Sequence, residues 1–149
     1  MQIFIGGIGC FWDETEYHGV PGIISTECGY CGGKDSSVSY EQVCGGDTEH
    51  IEVVKVTFNP KIISYENVTR LFFKIHDPTT LNRQGPNVGY QYRSEIFYNT
   101  EEEKRSAQAM LDEVNKKLNG KVVTVIRKEK NYCKAEEYHQ KYFLKRKKR

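Results

Sequence analysis

The chain has 149 residues, with 22 Lys and Arg against 20 Asp and Glu and a formal net charge of +2. Its 38% hydrophobic and 28% charged residues are typical of one globular domain, and we expect a single domain over residues 1–149. So small a charge argues against a nucleic-acid partner, and no apolar stretch approaches the ~20 residues of a membrane span. The N-terminus lacks a secretory leader, which predicts a cytoplasmic protein.

The first element is a strand over "MQIFIGGIG", and "CFWDETEYH" follows it as the start of a helix. Cys10 would then lie at the helix N-terminus, where unpaired amides and the helix dipole favour an anion. A thiol with an ordinary pKa of about 8.5 becomes a better nucleophile there. A buried cysteine that only fills the core is the alternative, and the spacing alone leaves both interpretations open.

The next stretch, "PGIISTECGYCGGK", predicts a strand from Ile23 to Glu27 and then a glycine-rich turn. Cys28 and Cys31 in this turn have the spacing of a redox pair or of half a zinc site. A structural zinc site needs a second ligand pair. The other candidate ligands lack the usual close spacing: Cys44, His50 and His18.

A second strand is predicted at "IEVVKVTF", and Glu52 lies inside it. If Glu52 faces the core, loss of hydration raises its pKa towards that of a neutral-pH proton donor; if it faces water, it is ordinary. Three tyrosines in glycine-bearing stretches can donate hydrogen bonds to a polar oxygen: Tyr40, Tyr90 and Tyr92.

The rest of the chain predicts two amphipathic helices, one from an N-cap at Ser64 to Ile75 and one from a capping box at Thr100 and Glu103 to Gly120. A long loop over 77–92 separates them, followed by the strand "RSEIFYN". The strand "KVVTVIRK" and a short helix "AEEYHQKYFLK" complete the chain. Strands interspersed with helices predict an α+β fold, a two-layer sandwich with a mixed β-sheet and packed helices.

Six segments, in order over nearly the whole chain, resemble the A-type peptide methionine sulfoxide reductases. They are "GCFW", "PGIISTECGYCGG", "SYEQVCGGDTEHIE", "FFKIHDPTTLNRQG", "GYQYRSEIFY" and "AEEYHQKYF". A match of several segments is more specific than any single motif. It favours the reactive interpretation of Cys10.

The resemblance implies that Cys10 attacks the sulfur of methionine S-sulfoxide, free or in proteins, without metal or organic cofactor. It also implies that Phe11 and Trp12 hold the methyl group in an apolar pocket. Three side chains would address the sulfoxide oxygen: Glu52, Tyr40 and Tyr92. These roles are chemically consistent, because the oxygen leaves only after protonation and phenols stabilise charge that develops on it.

Two features depart from the family pattern. Asn87, an expected substrate-binding residue, stands where many relatives have an aspartate, and it can hydrogen-bond but carries no charge. The sequence also ends without the glycine-rich extension that commonly carries the resolving cysteine. Cys133 is the preferred internal substitute among the other cysteines, and direct reduction by thioredoxin, glutaredoxin or a small thiol is an equal alternative.

Two other functions stay open on sequence grounds. One is a different thiol oxidoreductase in which Cys28 and Cys31 are the working pair. The other is a zinc-stabilised binding module without catalysis.

Overall fold

The structure is a computed structural model that describes residues 2–7, 17, 19–33, 50–76, 78–80, 83–84, 87–88 and 93–134. Its helices are α1 (Tyr65–Ile75) and α2 (Glu101–Lys117). Its strands are β1 (Gln2–Gly7), β2 (Ile23–Cys31), β3 (Ile51–Phe58), β4 (Arg83–Gln84), β5 (Asn87–Val88), β6 (Glu95–Tyr98), β7 (Val125–Lys128) and β8 (Cys133–Lys134). Neither described helix has the length and apolar character to cross a bilayer.

Six strands form one sheet in the order β7-β6-β1-β3-β2-β8, and β4 pairs with β5 as a separate hairpin. Within the large sheet β6 and β7 are parallel, whereas every other described pair is antiparallel. The expected α+β fold with a mixed sheet is therefore confirmed.

Side-chain caps set the start of both helices. The Ser64 hydroxyl accepts from the amide of Asn67 at 3.1 Å, as predicted for α1. At α2 the Thr100 hydroxyl accepts from the Glu103 amide at 3.2 Å. The Glu103 carboxylate closes the box on the amide of Asn99, one residue earlier than the usual pattern.

The two described helices pack on one face of the large sheet, which we call the helix face. Alternate residues of β3 point to this face, among them Val54 and Val56, and meet Phe72 of α1 and Ala107 of α2. The opposite face has a smaller apolar cluster: Ile5, Cys31, Ile51, Val53 and Phe97. Helices on one side of the sheet give the two layers that the sequence predicted.

The large sheet is strongly curled. β7 and β8 are its two edges, yet only four residues separate Lys128 from Cys133. Five Cα steps reach about 18 Å at most, whereas the edges of a flat six-stranded sheet lie about 24 Å apart. The edges must approach each other across the face opposite the helices, which we call the concave face.

Three element predictions need correction. The turn expected after Glu27 is strand, because β2 stays paired with β3 as far as Cys31 opposite Ile51. The strand expected over "KVVTVIRK" covers only Val125–Lys128, and the predicted loop over 77–92 contains the β4-β5 hairpin. The predicted helices "CFWDETEYH" and "AEEYHQKYFLK" fall outside the described residues.

Candidate active site

Four strands that carry or lead to predicted site residues begin or end at the same end of the large sheet. β1 and β2 end there at Gly7 and Cys31, and β3 and β6 begin there at Ile51 and Glu95. The antiparallel pairing fixes this arrangement, since Cys31 lies opposite Ile51 and Gly7 lies opposite Glu95. We call it the upper end of the sheet.

Glu52 lies at this upper end as the second residue of β3, with 3% of its surface exposed. By strand alternation it shares the helix face with Val54. A carboxyl group removed from water loses the hydration that stabilises its charged form. Of the two placements that the sequence left open for Glu52, the structure therefore shows the buried one.

Glu52 is one of three residues that form a row across neighbouring strands of the sheet. Glu52 lies opposite Tyr30 of β2, and Tyr30 lies opposite Cys133 of β8. Because neighbouring strands are about 4.8 Å apart, the Cα atoms of Glu52 and Cys133 are about 10 Å apart. The backbone of Cys133 is thereby placed near the upper end.

The structure argues against the alternative in which Cys28 and Cys31 form a working pair. Both are buried thiols on β2, three positions apart and so on opposite faces. Three strand residues span about 10 Å, beyond the 4.4–6.8 Å between Cα atoms that a disulfide allows. Burial also raises the pKa of the Cys31 thiol to about 12, and its Sγ donates to the Lys130 carbonyl at 3.4 Å.

The connection from β7 to β8 is hydrogen-bonded to the end of β2. The Gly32 amide donates to the Lys130 carbonyl at 2.8 Å, and the Asn131 side chain donates to the Gly33 carbonyl at 3.0 Å. Asn131 has a φ of 53°, a left-handed conformation that asparagine tolerates. These bonds hold the residues just before Cys133 against the upper end.

Two histidines near the upper end have structural hydrogen bonds. The Gly33 amide donates to Nδ1 of the fully buried His50 at 3.3 Å. His76 donates from Nδ1 to the Phe72 carbonyl at 2.5 Å, and its Nε2 bonds Ser94 Oγ at 2.7 Å. Across the described ranges, no three His, Cys, Asp or Glu side chains are grouped as metal ligands.

Several predicted site residues lie outside the described residues: Cys10, Phe11, Trp12, Tyr40 and Tyr92. For Asn87 and Cys133 the structure gives the backbone only, at the first residue of β5 and of β8. Of the predicted site side chains, the structure therefore tests the placement of Glu52.

Sequence reasoning missed a buried charge cluster at the upper end. Glu95, at the start of β6, is fully buried and contacts Arg93 and Arg127. Arg127 Nε donates to the Glu95 carboxylate at 2.8 Å, and the Arg127 guanidinium lies 5.2 Å from the Phe97 ring centre. The available signal was a glutamate inside the otherwise apolar strand "EIFY", the same signal that identified Glu52.

The sequence comparisons agree on one family. The sequence model of the family described as "Peptide methionine sulfoxide reductase" matches residues 1–149. The Pelagibacter ubique protein "Peptide methionine sulfoxide reductase MsrA" is 54% identical over 147 residues, covering 98% of this chain and 100% of that protein. The Saccharolobus solfataricus protein of the same name is 47% identical, covering 99% of this chain and 84% of that protein.

Solved structures of Mxr1 from Saccharomyces cerevisiae share this fold. The reduced form superposes with a TM-score of 0.92 at 39% identity, covering 99% of this chain and 87% of that chain. Mxr1 in complex with Trx2 gives a TM-score of 0.66 at 26% identity, with coverages of 95% and 84%. This chain is therefore more similar to the reduced form than to the Trx2-bound form.

Proposed function

Since this chain belongs to the peptide methionine sulfoxide reductase family, we propose that it reduces methionine S-sulfoxide, free or in proteins, to methionine. Residues 1–149 form the single catalytic domain in this proposal. The biological role is repair of oxidised methionine under oxidative stress, since sulfoxide formation makes an apolar side chain polar.

The burial of Glu52 at the upper end of the sheet is the observation that carries this proposal. In the sequence, Cys10 follows Gly7 at the end of β1 by three residues, and Tyr40 follows Cys31 at the end of β2 by nine. Tyr92 directly precedes the described residues that lead into β6. The topology therefore supports a site at which these residues surround the sulfoxide.

In the first step the Cys10 thiolate attacks the sulfoxide sulfur while Glu52 donates a proton to the sulfoxide oxygen. Burial supports this role, because it favours the neutral, proton-carrying form of a carboxyl group. The phenols of Tyr40 and Tyr92 stabilise charge on the oxygen as the S–O bond breaks.

The substrate methyl group packs against Phe11 and Trp12, and Asn87 hydrogen-bonds the substrate. Aromatic rings suit this contact, because sulfur and its methyl group make favourable interactions with them. An apolar pocket also keeps water away from the reacting sulfur atoms.

The bond that the attack of Cys10 forms between the two sulfur atoms then breaks as the protonated oxygen moves from the substrate sulfur to the Cys10 sulfur. The substrate sulfur gains two electrons and leaves as methionine, while the Cys10 sulfur loses two and becomes a sulfenic acid. A thiol then condenses with the sulfenic acid, releasing water and forming a disulfide. Cys133 is our candidate for this thiol, because its backbone is held opposite Tyr30 in the row that contains Glu52.

An external thiol then reduces the disulfide, or the sulfenic acid directly. Thioredoxin, glutaredoxin and a small thiol can all supply the two electrons. The complex of the yeast relative Mxr1 with Trx2 supports thioredoxin as this reductant. A cycle of this kind needs a reducing compartment, which supports a cytoplasmic location.

A single-turnover experiment tests the proposal. Wild-type protein, reduced and then freed of reductant, is mixed with excess methionine S-sulfoxide, and methionine is quantified. We expect about one methionine per chain, and none from the R epimer. Cys10→Ser is expected to form no methionine while keeping its circular dichroism spectrum, and full turnover by this variant would contradict the proposal.

A further inference from the structure

The Glu95 carboxylate is held by arginines from two separate elements. Arg93 lies two residues before the start of β6, and Arg127 lies on the neighbouring strand β7. Arg93 and Arg127 keep 21% and 35% of their side chains exposed, whereas Glu95 has no exposed surface. A buried carboxylate is tolerated only when paired, so this contact fixes both arginines to the first residue of β6.

Ser94 secures the same segment from other partners. Its hydroxyl bonds His76 Nε2 at 2.7 Å and Thr124 Oγ1 at 2.7 Å. Its carbonyl accepts from the Val125 amide at 3.1 Å. Residues 93–95 are thus tied to the end of α1, to the start of β7 and, through the pairing of Glu95 with Gly7, to the end of β1.

We propose that Glu95 is a positioning residue for sulfoxide reduction: by binding Arg93 and Arg127 it fixes the backbone that directly follows Tyr92 in the sequence. This inference rests on the role proposed above for Tyr92. Tyr92 directly precedes Arg93, whose guanidinium is held by Glu95. A displacement of about 1 Å in a catalytic group can lower a rate about 100-fold.

A double-mutant cycle tests whether Glu95 acts through Tyr92. The variants are Glu95→Gln, Tyr92→Phe and the double variant, and the readouts are the single-turnover rate and the substrate Kd. We expect Glu95→Gln to lower the rate about tenfold or more, with the Kd changed less than threefold. In the Tyr92→Phe background, Glu95→Gln is expected to lower the rate less than twofold further.

Glu103 supplies a matched control for the loss of a buried carboxylate. It is 7% exposed and hydrogen-bonded, but it contacts Gln2 and Asn99 at the opposite end of the sheet. Glu103→Gln is expected to lower the free energy of unfolding without lowering the single-turnover rate. If it lowers the rate as much as Glu95→Gln does, the effect is general and the positioning role is contradicted.

Arg127→Lys and Arg127→Met provide a second test if Glu95→Gln does not fold. Lysine keeps one charged contact with Glu95, so we expect Arg127→Lys to retain more of the rate than Arg127→Met. If Glu95→Gln lowers the single-turnover rate equally in the wild-type and Tyr92→Phe backgrounds, the positioning role of Glu95 is overturned while the proposed role of Tyr92 stands. An unchanged rate in Tyr92→Phe itself would overturn both this inference and the proposed role of Tyr92.

Discussion

Glu52 on β3 lies directly opposite Tyr30 on β2, and both residues are buried on the helix face. Tyr30 in turn lies opposite Cys133, so one row across three strands joins the proposed proton donor to the candidate resolving cysteine. The pairing register alone sets this alignment, since a slip of one residue would send Glu52 to the other face of the sheet.

The alignment of Glu52, Tyr30 and Cys133 predicts which disulfide forms after one turnover. Without reductant, wild-type protein treated with methionine S-sulfoxide is expected to contain a bridge between Cys10 and Cys133, detected by mass mapping of non-reduced peptides. Backbone proximity of Cys133 to the upper end is the reason. Cys28→Ser and Cys31→Ser should leave this bridge intact, since both thiols are buried within β2.

Cys133→Ser is the complementary variant. It is expected to stop at the sulfenic acid, which dimedone labels at Cys10. Dimedone labelling of wild-type Cys10 after turnover, with no bridged peptide, would show that Cys133 does not resolve the sulfenic acid, which leaves its reduction to an external thiol.

The sequence predicted the parts of the fold that local patterns control. Ser64 and Thr100 cap the two described helices, and the β-branched run around Glu52 forms β3. The extent of β2 was missed, because glycines in "ECGYCGG" indicate a turn unless a partner strand continues the pairing. Pairing with β3 is a long-range contact, and local propensity does not contain it.

The site was predictable to a similar degree. The apolar run around Glu52 made it a candidate buried acid but did not decide between the core and the solvent, and the pairing of β3 within the sheet decides it. The sequence did not predict the charge cluster around Glu95. Arg127 is 32 residues from Glu95 in sequence, and the two residues meet through the parallel pairing of β6 and β7. The curl of the sheet follows from strand order, and one strand's composition does not reveal it.

Gly32 is predicted to be required for stability. It has a φ of 90°, and a Cβ added there would meet the Arg127 guanidinium and lie 2.9 Å from Phe97 Cζ. Gly120 is the matched control, with a φ of 79° and no atom within 4 Å of such a Cβ. Gly120→Ala should cost about 1–2 kcal/mol for backbone strain, and Gly32→Ala a further 1–3 kcal/mol or so for overpacking.

Urea unfolding of the two alanine variants measures this difference. If Gly32→Ala and Gly120→Ala have the same free energy of unfolding, then a Cβ at position 32 is accommodated beside Arg127 and Phe97 without cost, and the prediction is wrong.

Cys31 is predicted to make the fold sensitive to alkaline pH. Its pKa is raised from 9.0 to about 12 by burial, so between these values the folded state retains a proton that the unfolded state releases. Stability from this thiol is therefore complete below pH 9 and declines as the pH rises towards 12, by about 1 kcal/mol at pH 10.

Urea unfolding at pH 8 and pH 10 measures this decline. A Cys31→Val variant is expected to lose less stability between the two pH values than wild type, because it has no thiol to titrate. The same loss in both proteins would assign the effect to other groups. Native Cys31 should also resist iodoacetamide at pH 8, since alkylation requires the thiolate.

The role of Glu52 as proton donor is tested most directly by the single-turnover rate of methionine formation in Glu52→Gln. Glutamine keeps the shape of the buried side chain but cannot carry the transferable proton. We expect the rate to fall about 100- to 10,000-fold, with the substrate Kd within a few-fold of wild type. A wild-type rate in Glu52→Gln would contradict the assignment of Glu52 as the proton donor.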